Sequence, residues 1–150
     1  MKLFSFKTSD GIKLGIKSDK GMVNVEATAA KTGIAAPLTV DEVMASGQKG
    51  TEQLKNLCSQ EAVFIEESGI SFVPAVQNPE KIICIGANYL AHIEEANLDI
   101  PEYPIYFPKY RNSLAAHGEE IIPPADTEQV DYEVELAVVI GKQAKNITEE

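Results

Sequence analysis

Three runs in the first 26 residues, at positions 3–7, 12–17 and 22–26, alternate apolar with polar side chains. A period of two puts one set of side chains on a buried face and the other on the opposite face, which is the signature of a strand and not of a helix. Asp10-Gly11 and Asp19-Lys20-Gly21 stand between the runs as turn signals. The chain is therefore expected to open as an antiparallel meander. Further on, Thr39 with Glu42 three residues later fits a capping box, so a helix is expected from there. Gly47 and Gly50 interrupt it, and residues 51–59 suit a second short helix with Leu54, Leu57 and Cys58 on one side.

Charge narrows the classes of function. The 150 residues carry 23 acidic and 13 basic side chains, a formal net charge of −10. The excess is uneven. Residues 1–75 hold 8 basic and 9 acidic groups, while residues 76–150 hold 5 basic and 14 acidic groups. No basic face exists to displace counterions from a nucleic acid. An anionic membrane surface would repel the chain, and no apolar run approaches the roughly 18 residues of a membrane helix. The first seven residues mix charge with apolar groups, unlike a signal peptide. Cys58 and Cys84 lack His or Cys neighbours at metal-ligand spacing and read as reduced thiols, so a cytoplasmic protein is expected.

Residues 72–80 carry Pro74 and Pro79 and read as a connector. It separates a small N-terminal domain, 1–72, from a second domain, 79–150. Residues 81–86 form a short apolar run ending in Gly86, the pattern of a buried strand. Residues 88–96 suit a short helix, Pro101, Pro104 and Pro108 hold an extended stretch, and residues 130–141 read as the clearest strand. Thr148-Glu149-Glu150 reads as an N-cap and an acidic first turn with nothing behind it, the expected mark of a chain cut from a longer protein.

Three constellations could carry chemistry. On a strand, Asp131, Glu133 and Glu135 share one face and Tyr132, Val134, Leu136, Val138 and Ile140 the other. A carboxylate row about 7 Å apart is either a solvated face or one neutralised by a cation such as Mg²⁺. His92 and Glu95, at i and i+3, are either a surface pair or an imidazole oriented by a carboxylate for general-base work. Residues 104–113 bring Lys109 and Arg111 together with aromatic neighbours, which is either a charged loop or a place for a carboxylate-bearing substrate.

Taken in order, these segments resemble the fumarylacetoacetate hydrolase family. The family pattern runs G-x-N-Y-x-x-H-x-x-E, then P-x-x-F-x-K, then D-Y-E-x-E-L-A-V-V-I-G-K. Here the first runs from Gly86 to Glu95, the second from Pro104 to Lys109 and the third from Asp131 to Lys142. The resemblance covers residues 79–150. Residues 1–72 resemble, less specifically, the small N-terminal domain of the family's bacterial members. The resemblance implies an α+β, mainly β protein: a small β-meander and helix domain ahead of a mixed β-roll catalytic domain, of which 79–150 would be the N-terminal portion. It implies a homodimer and a divalent metal, usually Mg²⁺ but also Mn²⁺ or Ca²⁺, held by Glu133 and Glu135. A third acidic ligand and a catalytic Lys would lie beyond Glu150. It implies a water-activating dyad of His92 and Glu95, often on a lid, and a pocket lined by Tyr89, Phe107 and Lys109. Tyr110-Arg111-Asn112 departs from the small, Pro-rich residues of the pattern, which puts the substrate in doubt rather than the reaction class.

The expected function is metal-dependent chemistry on a small 2-oxo or 1,3-dicarbonyl acid, first of all hydrolysis of an acylpyruvate-like C–C bond. Alternatives are oxaloacetate-type decarboxylation and isomerisation or hydration of a dienedioate in aromatic catabolism. In another class stands a non-catalytic relative that binds a metal and a small acid without turnover.

Overall fold

The structure is a computed structural model and describes residues 1–59 and 61–149. It is a mixed fold of helices with antiparallel sheets, in two compact units: residues 1–76 with 115–150, and residues 77–114.

In the first unit, β1 (Lys2–Thr8), β2 (Gly11–Ser18) and β3 (Gly21–Asn24) form the meander. Thr8 pairs with Gly11 and Ser18 with Gly21, so each hairpin closes over two residues. One device serves both turns. The Thr8 hydroxyl donates to the Gly11 carbonyl at 2.9 Å, and the Ser18 hydroxyl donates to that of Gly21 at 2.9 Å. Gly11 and Gly21 sit at φ of +118° and +133°, where a side chain would be strained. Two short edge strands complete the sheet, β4 (Phe64–Ile65) beside β3 and β5 (Ser71–Val73) beside β1.

The third strand ends two residues earlier than the alternation predicts, because Asn24 turns the chain into a helix. Its side-chain oxygen accepts from the Ala27 N–H at 3.0 Å and caps α1 (Val25–Thr32), an element the alternating pattern hid. Gly33, at φ +71°, closes the helix by donating its N–H to the Ala29 carbonyl. Next comes α2 (Val40–Cys58), which breaks at Gly47 (φ 56°, ψ −130°), one of the two glycines expected to interrupt it. Thr39 accepts from the Glu42 N–H at 3.1 Å, as the capping box requires. The Glu42 carboxylate reaches one residue further back, accepting from the Leu38 N–H at 2.7 Å.

Leu14 and Ile16 of β2, Val23, Val25, and Leu54 and Leu57 of α2 form the core. Each full burial stabilises by about 1.5–3 kcal/mol. Cys58 packs against this cluster, and burial pushes its thiol pKa up, which keeps it in the unreactive form. Thr28 of α1 is fully buried. Its hydroxyl donates to the Asn24 carbonyl at 2.7 Å and accepts from the Val63 N–H at 2.9 Å, tying helix to sheet. The sheet's other face is aromatic. Phe4 stands opposite Gly15, where a methyl would collide with its ring, and its centroid lies 5.6 Å from Phe6 and 5.5 Å from Phe72. His117 meets Phe72 edge-on at 5.2 Å.

In the second unit, β6 (Ile82–Gly86) pairs antiparallel with β7 (Ile105–Lys109), and α3 (Leu90–Glu95) lies between them in sequence. The strand at 82–86 is present but is not buried as expected. Ile83 and Ile85 are 60% and 43% exposed, because a two-stranded ribbon covers neither of its own faces.

The strand expected over residues 130–141 is a correction. Those residues carry no strand, and Tyr132, Val134 and Leu136 are more than 80% exposed. Alternation states which face a strand would bury, but a ladder also needs a neighbouring strand in register, and among the described residues no sheet includes this segment. The carboxylates of Asp131, Glu133 and Glu135 are thus not aligned by a sheet. The helix start expected at the C-terminus includes Glu150, which lies outside the described residues, while Thr148 and Glu149 are not helical.

Thr28→Val keeps the side-chain shape but leaves the part-buried Val63 N–H without its acceptor. Unfolding free energy is expected to fall by about 1–3 kcal/mol, read as a lower urea midpoint at unchanged slope. An unchanged midpoint would show that the link is not structural.

Candidate functional site

Strand β6 delivers the chain to Gly86 and then to Ala87, which sits at φ +50°. A residue with a Cβ pays a steric penalty in that conformation. The turn it makes leads through Asn88 and Tyr89 into α3. The Tyr89 carbonyl accepts from the Ile93 N–H at 3.1 Å, and α3 then ends in a Schellman arrangement. Asn97 (φ +51°) donates its N–H to the Glu94 carbonyl at 3.2 Å, and Leu98 donates to that of Ile93 at 3.0 Å. Asn97 does here what glycine usually does.

This short helix separates two faces. Leu90 and Ile93 look toward an open, mainly apolar cleft of about 300 Å³, and Ile93 is 4% exposed. Ile85, Gly86, Ile100, Pro101 and Tyr103 complete its apolar wall, with Asn88 and Glu102 as its polar members. His92 and Glu95 share the opposite face, as i,i+3 spacing requires, and both are exposed. They do not line the cleft. Among the described residues no hydrogen bond or ion pair joins them. Sequence reasoning placed the pair on one face but did not find the cleft, for which the only signal was the pairing of an apolar strand exit with Pro101 and Pro104.

Phe107 and Lys109 lie on β7, where alternation puts them on the same side of the strand as Ile105. A methyl on Gly86 would stand 3.5 Å from Ile105 and 3.6 Å from the Phe107 ring, so these side chains close over the glycine. Lys109 pairs with Ile82 across the ribbon. Arg111 follows in a 3₁₀ turn, Arg111–Ser113, and donates from Nη1 to the Asn78 side-chain oxygen at 3.0 Å.

Tyr89, His92, Glu95, Phe107 and Lys109 all belong to the unit 77–114, and Glu133 and Glu135 to the other. The carboxylate oxygens of Glu133 and Glu135 are of the type a hard divalent cation takes. Among the described residues, however, no three His, Cys, Asp or Glu side chains gather as a metal site. Among them too, no helix is long and apolar enough to cross a membrane.

Residues 81–150 match the family model described as fumarylacetoacetate (FAA) hydrolase C-terminal. The chain is 34% identical over its whole length to the oxaloacetate tautomerase fahd2, mitochondrial, of Xenopus laevis, covering 47% of that protein. It is 30% identical over 98% of its length to the human oxaloacetate tautomerase FAHD2A, mitochondrial, again covering 47%. This chain belongs to the fumarylacetoacetate hydrolase family. A third relative, the fumarylacetoacetate hydrolase domain-containing protein 2 homolog of Dictyostelium discoideum, is 52% identical over 77 residues, 51% of this chain and 25% of that protein. The chain spans about half the length of the curated relatives it matches.

Ala87→Gly relieves the backbone strain at the strand exit. It is expected to stabilise the unit by about 1 kcal/mol, seen as a raised Tm. A lowered Tm would mean that the Ala87 methyl contributes packing that outweighs the strain.

Proposed function

We propose that the protein is a metal-dependent enzyme acting on a small 2-oxo diacid, and that its reaction is keto–enol tautomerisation of oxaloacetate. The observation that carries this is the 34% identity along the full chain to a relative named for that reaction. The chemistry asks little of the protein. A C3–H bond breaks, its electron pair becomes the C2=C3 double bond, and the C2 oxygen takes a proton; the reverse restores the ketone. His92 is assigned as the proton carrier and Glu95 as the group that orients its ring. Exposure of both on one face of α3 supports access by a substrate. Mg²⁺, or Mn²⁺ or Ca²⁺, would be held by Glu133 and Glu135 with a third acidic ligand beyond Glu150, and would stabilise negative charge on the substrate oxygen. Tyr89, Phe107 and Lys109 are assigned to substrate binding, within a mixed β-roll catalytic domain that starts at 79 and acts as a homodimer. The compartment proposed is the cytoplasm, although the animal relatives carry the word mitochondrial in their names.

A second reading is hydrolysis of an acylpyruvate-like C–C bond, favoured by the hydrolase family model over residues 81–150. The same dyad would then activate water.

Both are tested on the intact protein with Mg²⁺, following loss of the oxaloacetate enol by ultraviolet absorbance and acylpyruvate cleavage in parallel. His92→Ala and Glu135→Gln are each expected to lower tautomerisation at least about tenfold, and chelation of the metal to abolish it. Faster acylpyruvate cleavage would select the second reading. Turnover of neither, with Mg²⁺ still bound, would identify a non-catalytic binder.

A further inference from the structure

We infer that Arg111 is a specificity-determining residue, which with Lys109 forms a two-cation clamp for a small dicarboxylate. The inference rests on the proposed oxo-diacid chemistry for the reaction, but its own argument is electrostatic.

Residues 76–150 hold fourteen acidic groups and five basic ones. In such surroundings a surface cation is expected to find a carboxylate. In the meander half three of the eight lysines do so, Lys13 with Glu26, Lys17 with Glu67 and Lys31 with Glu61. Among the described residues no basic side chain of 76–150 does, so Lys109 and Arg111, like Lys81, Lys142 and Lys145, keep their charge although acids outnumber bases nearly three to one in their half. Arg111 is instead anchored by a neutral group, the Asn78 amide oxygen at 3.0 Å. That bond fixes the guanidinium through one nitrogen without cancelling its charge, and leaves N–H donors for a bidentate carboxylate. The backbone behind it is also held. The Ser113 N–H and hydroxyl both donate to the Tyr110 carbonyl, at 2.9 and 2.6 Å.

Tyr110 is extended, at φ −100° and ψ 156°. Lys109 and Arg111 therefore leave the chain on one side, with Cα atoms about 7 Å apart. Phe107 precedes them on that side and supplies an apolar neighbour for the carbon skeleton of a ligand. Two long cationic side chains at this spacing can engage both carboxylates of a four-carbon diacid at once, whereas a monoacid satisfies one.

The test uses succinate as the diacid probe and butyrate as its monoacid counterpart, titrated calorimetrically into the intact protein. Succinate is expected to bind at least about tenfold more tightly than butyrate. Arg111→Gln is expected to remove that preference, with an unchanged thermal melt as its folding control. Asn78→Ala keeps the charge but frees the guanidinium, and is expected to weaken succinate binding with little effect on butyrate. Equal binding of the two acids by the natural protein, or a preference that survives Arg111→Gln, would overturn the clamp. The reading of the reaction fails separately: if oxaloacetate is not tautomerised while succinate selectivity depends on Arg111, the clamp stands and that reading falls. The converse result removes the clamp alone.

Discussion

Burial of Leu14 and Ile16 against Leu54 and Leu57 is the contact on which the first unit depends. Everything local is arranged to allow it. The two-residue turns, each clamped by a Thr or Ser hydroxyl, hold β1, β2 and β3 in the register that puts Leu3, Leu14, Ile16 and Val23 on one face. Asn24 then reverses the chain so that α1 and α2 cover that face. Thr28 spends its buried hydroxyl on both Asn24 and Val63, so that no polar group is left stranded where helix meets sheet. The opposite face is covered differently, by an aromatic cluster that needs Gly15 to make room for the Phe4 ring.

The second unit is organised by a turn rather than by a core. A two-stranded ribbon buries little, so its side chains stay available: Phe107 and Lys109 along β7, and His92 and Glu95 on the outer face of α3. The strained Ala87 and the Asn97 cap set where α3 begins and ends. Ile93 fixes which way it faces, by burying the side that leaves His92 and Glu95 outward. The chemistry proposed for this family member thus draws on residues held by backbone geometry, and its substrate preference on two cations that the surrounding acids leave unneutralised.

How much of this could be read from the sequence follows from the range of each interaction. Hairpins are local, so Asp10-Gly11 and Asp19-Lys20-Gly21 announced the meander, and Thr39 with Glu42 announced α2. The helix at Val25–Thr32 was missed because Val23 and Val25 continue the strand alternation, and only the Asn24 cap outweighs it. Burial is not local. The apolar residues 82–85 looked like an interior strand, and residues 130–141 looked like the clearest strand of all. Yet burial and pairing depend on neighbours that a single segment cannot specify. For the candidate site, helical spacing was enough to put His92 and Glu95 on one face of α3, though not in contact. The Arg111–Asn78 bond joins residues 33 positions apart and carried no signal at all.

The meander and its two helices form a paired, packed unit, whereas among the described residues the alternating acidic segment joins no sheet. Amide hydrogen exchange of the 150-residue chain tests this contrast most directly. Amides of β1, β2 and β3 are expected to exchange only on global unfolding, orders of magnitude more slowly than those of residues 130–140. Protection of residues 130–140 at the level of β2 would contradict this, because it requires a strand in a sheet where the described residues show none.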